Sequence, residues 1–273
     1  MLVAITLPKA LKTLPKRDPD AHKGSYGHVF ILGGAPGMAG AIRLAGEGAL
    51  RVGSGKVTLA TAPEHANVVT LTRPELMCYP VQKPDELQGL NFLATLWVLG
   101  PGMGHSSVAE SLVQKVLTFN KPCIIDADAL HWLAKNKQTR DNWILTPHPG
   151  EAAVLLGCKV ADIQKDRQTA IQKIQKQYGG VVVLKGAGTI ICAPNAPLHI
   201  CPAANPSMAT PGMGDILSGM IAGLLAQGMS LLDAANLATI LHAQAADRAC
   251  QGTRGLIASD IFPHISGLLN ATP

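Results

Sequence analysis

Residues 96–118, read L-W-V-L-G-P-G-M-G-H-S-S-V-A-E-S-L-V-Q-K-V-L-T, pass from a short apolar run through a glycine cluster into a stretch of helical periodicity. A buried strand, a tight turn and an amphipathic helix in that order make one βα unit. The same succession recurs along the chain. Strands are expected at residues 28–32, 56–61, 96–99, 122–125, 143–145, 181–185 and 189–192. Helices are expected at 40–52, 107–118, 127–135, 151–156, 162–178, 214–226 and 231–250. Such alternation predicts an α/β fold with a mostly parallel sheet held between helical layers. The runs 181–185 and 189–192, joined by Gly186, Ala187 and Gly188, read as a hairpin that makes the sheet mixed at one side.

The bulk properties agree with this class. The chain has 273 residues with no dividing linker, so residues 1–273 are expected to form a single domain. Charged residues are 15% and aromatics 4%, while Gly is frequent at 28, as suits strands buried on both faces. The formal charge of +5 is modest, and the one basic cluster is Lys9, Lys12, Lys16, Arg17 and Lys23, so nothing calls for nucleic acid. The six cysteines form no C-x-x-C pair and read as free thiols, with Cys123 and Cys192 in apolar runs as small buried hydrophobes. No signal-peptide h-region and no membrane-length apolar run is found, which points to the cytoplasm.

Most glycine clusters follow a strand and precede a helix, and in open α/β sheets that edge binds ligands. Residues 33–40 (G-G-A-P-G-M-A-G), 100–104 (G-P-G-M-G), 146–151 (T-P-H-P-G-E) and 205–215 are expected to form one crevice. In the last of these, Pro211, Gly212 and Gly214 shape a turn into the helix that carries Asp215 in its first turn. The unpaired N–H groups of that end attract anions, and Asp215 either caps the helix or takes a proton from a substrate hydroxyl. His148, set between Pro147 and Pro149, either presents its ring to a ligand or caps the helix it opens. Asp126 and Asp128 bear on Mg²⁺ or cap the following helix, and capping is the favoured reading. No histidine pair has metal-ligand spacing, so no metal ligand is assigned. Residues 53–56 (G-S-G-K) resemble a P-loop but lead into a strand with Val57 next, and residues 100–104 lack the third glycine of a dinucleotide fingerprint.

With these motifs in place, the chain resembles the ADP-dependent NAD(P)H-hydrate dehydratases, of ribokinase-like fold. The likeness runs from Lys23-Gly24 through G-M-A-G-A-I-R-L-A (37–45), A-L-R-V-G-S-G (49–55), residues 100–104, D-A-D-A-L (126–130), T-P-H-P-G-E-A (146–152) and V-L-K-G-A-G-T (183–189). It ends with A-T-P-G-M-G-D-I-L-S-G (209–219) and Gly252-Thr253-Arg254-Gly255. As an ordered set these motifs are specific, although each alone is not.

The resemblance implies a three-layer α/β/α sandwich of eight or more strands, a homo-oligomer that is commonly a tetramer, and Mg²⁺ with ADP as co-substrate. It implies that the damaged nucleotides NADHX and NADPHX lie against Ala41, Gly102, Gly104, His148 and Asp215, with Gly104 preferred over Gly102. It places ADP on Lys185, Gly186, Ala187, Gly188, Thr189 and Gly214, and makes Asp215 the general base. The family is often fused to an epimerase, and this chain resembles the stand-alone form, which works with a separate NAD(P)HX epimerase. The competing expectations are a vitamin-precursor kinase of the same superfamily, which shares the G-x-G-D step, and a non-catalytic nucleotide sensor that binds ligand without turnover. The segments 146–151 and 185–189 match the dehydratases better.

Overall fold

The computed structural model describes residues 2–271. Among these, ten strands alternate with eleven helices. The strands are β1 (Leu2–Ala4), β2 (His28–Leu32), β3 (Lys56–Thr61), β4 (Met77–Pro80), β5 (Leu96–Leu99), β6 (Cys123–Ile125), β7 (Trp143–Leu145), β8 (Val181–Leu184), β9 (Thr189–Cys192) and β10 (Leu198–Cys201). The helices are α1 (Leu7–Leu11), α2 (Ala39–Arg51), α3 (Leu87–Asn91), α4 (Ser107–Thr118), α5 (Ala127–Lys135), α6 (Pro149–Leu156), α7 (Val160–Lys165), α8 (Arg167–Tyr178), α9 (Met213–Ala226), α10 (Leu231–Ala249) and α11 (Phe262–Leu269).

Strand residues alternate between two cores, as the two-residue period of a strand requires. Val29, Ile31, Val98, Ile124, Ile144 and Val183 face the layer of α1, α2, α9, α10 and α11. Phe30, Leu32, Trp97, Leu99, Ile125 and Leu145 face the layer of α3 to α8. The result is the expected three-layer sandwich.

The sheet order is β1-β10-β9-β8-β7-β6-β5-β2-β3-β4. Only β9 runs against its neighbours, since both of its pairings are antiparallel and the other pairings are parallel. The expected hairpin is therefore present. From β2 the chain builds outward through β3 to β4, then returns to place β5 on the other side of β2 and continues through β6 to β8. That reversal opens a crevice beyond the carboxyl ends of β2 and β5. Two expected loops meet there: Gly34 N–H donates to Pro101 O at 2.9 Å and Ala35 N–H to Gly102 O at 2.7 Å.

Helices α2 and α9 pack with almost no side chain between them. A Cβ on Gly219 would lie 1.9 Å from Ala45 O, one on Gly223 2.5 Å from Ala49 O, and one on Gly48 2.7 Å from Ile216 O. This contact fixes the N-terminus of α9 against the β2 and β5 loops.

Several expectations need correction. The helix expected at 162–178 is two helices, because Asp166 leaves helical geometry and its side chain accepts from Thr169 N–H at 3.0 Å to cap α8. Strands β1, β4 and β10 and helices α1, α3 and α11 were not expected. β4 ends in Pro80 at a sheet edge with Met77 and Tyr79 exposed, so it carries no buried alternation to read. No helix among the described residues is long and apolar enough to cross a membrane.

Candidate active site

Asp215 is the third residue of α9, whose N-cap Gly212 adopts a φ of 92° and offers no side-chain cap. The first N–H groups of α9 therefore stay free to hold an anion. Asp215 does not cap its helix. Burial pushes its carboxyl up to about 7, assisted by the negative charges of Asp126, Asp128 and Glu151 and opposed by Lys185. A carboxyl poised there suits proton abstraction near neutral pH.

Lys185, at the end of β8, points across at this helix end. Its Nζ donates to Asp126 Oδ1 at 2.8 Å and lies 3.6 Å from Glu151 Oε2. Burial opposes its charge, but Asp126 and Glu151 outweigh that and hold the ammonium above its ordinary range. A Cβ on Gly214 would come 3.2 Å from Lys185 Nζ, so a glycine there keeps the gap between ammonium and helix end clear.

Asp126 is 1% exposed and does not cap α5, contrary to the favoured reading. Its side chain turns instead to Lys185 and to Ser218 Oγ, one turn beyond Asp215. The following residue, Ala127, takes a φ of 46°, a bend costly for a residue with a Cβ. Asp128 likewise serves loop geometry, accepting from Gly104 N–H at 2.8 Å through Oδ2. The Asp126–Lys185–Ser218 network was not read in the sequence, although the three-residue step from Asp215 to Ser218 puts both on one helix face.

His148 is the N-cap of α6. Its Nδ1 accepts from Gly150 N–H at 2.9 Å and Glu151 N–H at 3.3 Å, while Glu151 Oε2 accepts from His148 N–H at 2.6 Å. This reciprocal capping fixes the ring and leaves Nε2 3.4 Å from Glu151 Oε1. The geometry gives His148 the capping role, and the same ring lines a cavity of about 720 Å³ shared with Lys185, Gly186, Ala187, Thr189 and Gly214. That volume lies in the range of small-molecule sites. Thr239 and His242 of α10, which sequence reading passed over, reach the same cavity with buried Oγ1 and Nε2 atoms that lack hydrogen-bond partners. Burial, opposed by a backbone hydrogen bond at Met213 and assisted by Lys185, lowers the His242 imidazole to about 4, which favours the neutral ring.

On the other flank, Gly102 is packed so closely that a Cβ would meet Ala41 Cβ and Met38 Cβ at 2.9 Å. Gly104 is open apart from Ala35, 3.6 Å from where its Cβ would be. Ala41 and Gly102 thus meet at the β2 and β5 loops, whereas Lys185, Gly186, Ala187, Thr189 and Gly214 border the cavity of about 720 Å³, whose lining does not include Ala41, Gly102, Gly104 or Asp215. One further hollow, bordered by Asp18, His22 and Tyr26, lies at the opposite edge of the sheet, where β2 begins.

Residues 29–265 match the sequence profile described as NAD(P)H-hydrate dehydratase. The chain belongs to the NAD(P)H-hydrate dehydratase family. Among its relatives, the bifunctional NAD(P)H-hydrate repair enzyme Nnr of Coxiella burnetii is 54% identical over 94% of this chain and 53% of that protein. The ADP-dependent (S)-NAD(P)H-hydrate dehydratase of Neisseria meningitidis is 37% identical over 98% of this chain and 92% of that protein. The chain thus spans about half the length of the bifunctional relatives it matches. The ADP/ATP-dependent NAD(P)H-hydrate dehydratase of Bacillus subtilis, co-crystallized with ATP and Mg²⁺, superposes with a TM-score of 0.85 at 32% identity, covering 97% of this chain and 98% of that one. The dehydratase fold here is accordingly ribokinase-like.

Proposed function

We propose that this protein dehydrates the S epimer of NADHX and NADPHX at the expense of ADP, giving NADH or NADPH, AMP and phosphate. The observation that carries the reading is Asp215: a half-buried, uncapping carboxyl at an open helix N-terminus, raised to about 7, with Lys185 nearby. Hydroxide leaves poorly near neutral pH, and phosphorylation of the C6 hydroxyl removes that obstacle. Asp215 takes the hydroxyl proton as the oxygen attacks the terminal phosphorus of ADP, and AMP departs. The free N–H groups of α9 and the Lys185 ammonium hold the charge that develops on the phosphoryl group. The ring nitrogen then expels phosphate from C6, and loss of the C5 proton restores the double bond.

ADP is assigned to Lys185, Gly186, Ala187, Gly188, Thr189 and Gly214. The hydrate is assigned to Ala41, Gly102, Gly104, His148 and Asp215. The carboxylates around Lys185 outnumber its one positive charge, and their hard oxygens fit Mg²⁺. Asp126 and Glu151 would hold the ion through its water shell, and it would supply neutralisation of the phosphates.

The six cysteines are all unpaired, which supports a reducing cytoplasm. Met77 and Tyr79 on the edge strand β4, and Val68 and Leu71 in the segment before it, are exposed, which supports a homo-oligomer, for which the resemblance suggests a tetramer. The whole chain is read as one dehydratase domain that works with an NAD(P)HX epimerase.

The test is to incubate the protein with (S)-NADHX, Mg²⁺ and ADP and follow the absorbance of regenerated dihydronicotinamide. A return of absorbance with AMP formed in equal amount is expected. A stable phosphorylated product without that absorbance would assign the site to a kinase instead.

A further inference from the structure

Beside the crevice, His105, Asp128 and His131 converge from two segments far apart in sequence. His105 follows the 100–104 loop, while Asp128 and His131 stand three residues apart on one face of α5. One nitrogen or oxygen from each lies within 4.8 Å of the others. The His105 Nε2 to Asp128 Oδ1 distance is 3.3 Å, and the two imidazole rings sit 5.2 Å apart at 67°. Donors bound tetrahedrally at about 2.1 Å stand roughly 3.4 Å apart, so small side-chain rotations close the set.

Two further features mark this as more than a chance meeting of surface side chains. His131 Nδ1 is buried with no hydrogen-bond partner, a cost that a metal bound at that nitrogen would relieve. Asp128 is already oriented from behind, because its Oδ2 accepts from Gly104 N–H at 2.8 Å, as carboxylate ligands commonly are. His105 remains 56% exposed in its side chain, which leaves a path for an ion to enter.

We propose that His105, Asp128 and His131 bind a zinc-class divalent ion, with water completing the coordination. Two imidazoles and one carboxylate favour such a borderline metal over the hard Mg²⁺ of the phosphate site. The ion fastens the loop that carries Gly102 and Gly104 to α5. This site is independent of the dehydratase reading and stands or falls separately from it.

The test is titration of metal-free protein with Co²⁺, read by visible absorbance, and with Zn²⁺, read by calorimetry. One equivalent is expected per chain, with no intense thiolate-to-metal charge-transfer band, and excess Mg²⁺ should not displace it. His105→Ala, an exposed change that leaves the core intact, and His131→Ala should each weaken binding by about 10-fold or more. Asp215→Asn should leave the titration unchanged whether or not it abolishes turnover. Absence of saturable binding, affinity in the histidine variants unchanged from the wild type, or a thiolate band would overturn the site.

Discussion

At the scale of the residue, the feature with the widest consequences is the raised carboxyl of Asp215, which burial and neighbouring carboxylates bring to about 7. Asp215→Asn should fold and bind ADP normally while turnover falls by about 100-fold or more. Near-wild-type turnover in the folded variant would remove Asp215 from the base role. The same group links stability to pH. Between about pH 4 and about pH 7 the unfolded chain has lost this proton while the folded chain keeps it, so folding takes up a proton and stability falls as pH rises. Below that window and above it, Asp215 contributes no slope. Asp215→Asn removes this titration. The variant's urea midpoint should therefore gain on the wild type between about pH 4 and about pH 7 in metal-free buffer. Parallel midpoint profiles for the two proteins would contradict the assignment.

Among the elements, α6 and the α2–α9 pair make opposite demands on their small or polar residues. His148 caps α6 through Nδ1, so His148→Ala should cost about 1 kcal/mol of stability in denaturant unfolding. It should also weaken hydrate binding by about 1–3 kcal/mol if the ring touches that ligand. Asn is a good N-cap, so His148→Asn should recover most of the stability and none of the hydrate affinity. Calorimetry of hydrate and ADP separates the two roles, because ADP affinity should barely move. For α9, exposed helix propensity alone says that Gly219→Ala gains about 1 kcal/mol. Packing decides otherwise, since the new Cβ would fall 1.9 Å from Ala45 O, a backbone atom that cannot swing aside. The variant should instead lose about 1–3 kcal/mol by thermal or urea unfolding. A more stable Gly219→Ala protein would mean that α2 and α9 are not in this contact.

For the whole molecule, the reversal of strand order between β2 and β5 decides where chemistry happens. It draws the loops after β2 and β5 together, and the α2–α9 contact then carries the N-terminus of α9 to the same place. The cavity of about 720 Å³ lies beside the one antiparallel strand of the described sheet. Donor choice belongs to this scale, because it depends on the reach from the Lys185–Thr189 loop to Asp215. ADP should support turnover at least as well as ATP, measured as the ratio of kcat/KM values. A clear preference for ATP would show the donor assignment wrong while leaving the dehydration chemistry in place.

The sequence by itself determined the βα alternation, the hairpin at β8–β9 and the four ligand-edge loops. These depend on short-range signals: apolar period, glycine turns, and caps within a few residues. It also singled out Asp215, because a helix start after Pro211, Gly212 and Gly214 is legible locally. It misassigned Asp126, read one helix where Asp166 makes two, and gave no sign of β4 or of the His105–Asp128–His131 cluster. Only the tertiary structure decided these. Whether Asp126 caps α5 or binds Lys185 depends on a partner 59 residues away in the chain. The burial that raises Asp215 likewise exists only once β6, β8 and α9 are assembled around it, because charge and desolvation act through space and not along the chain.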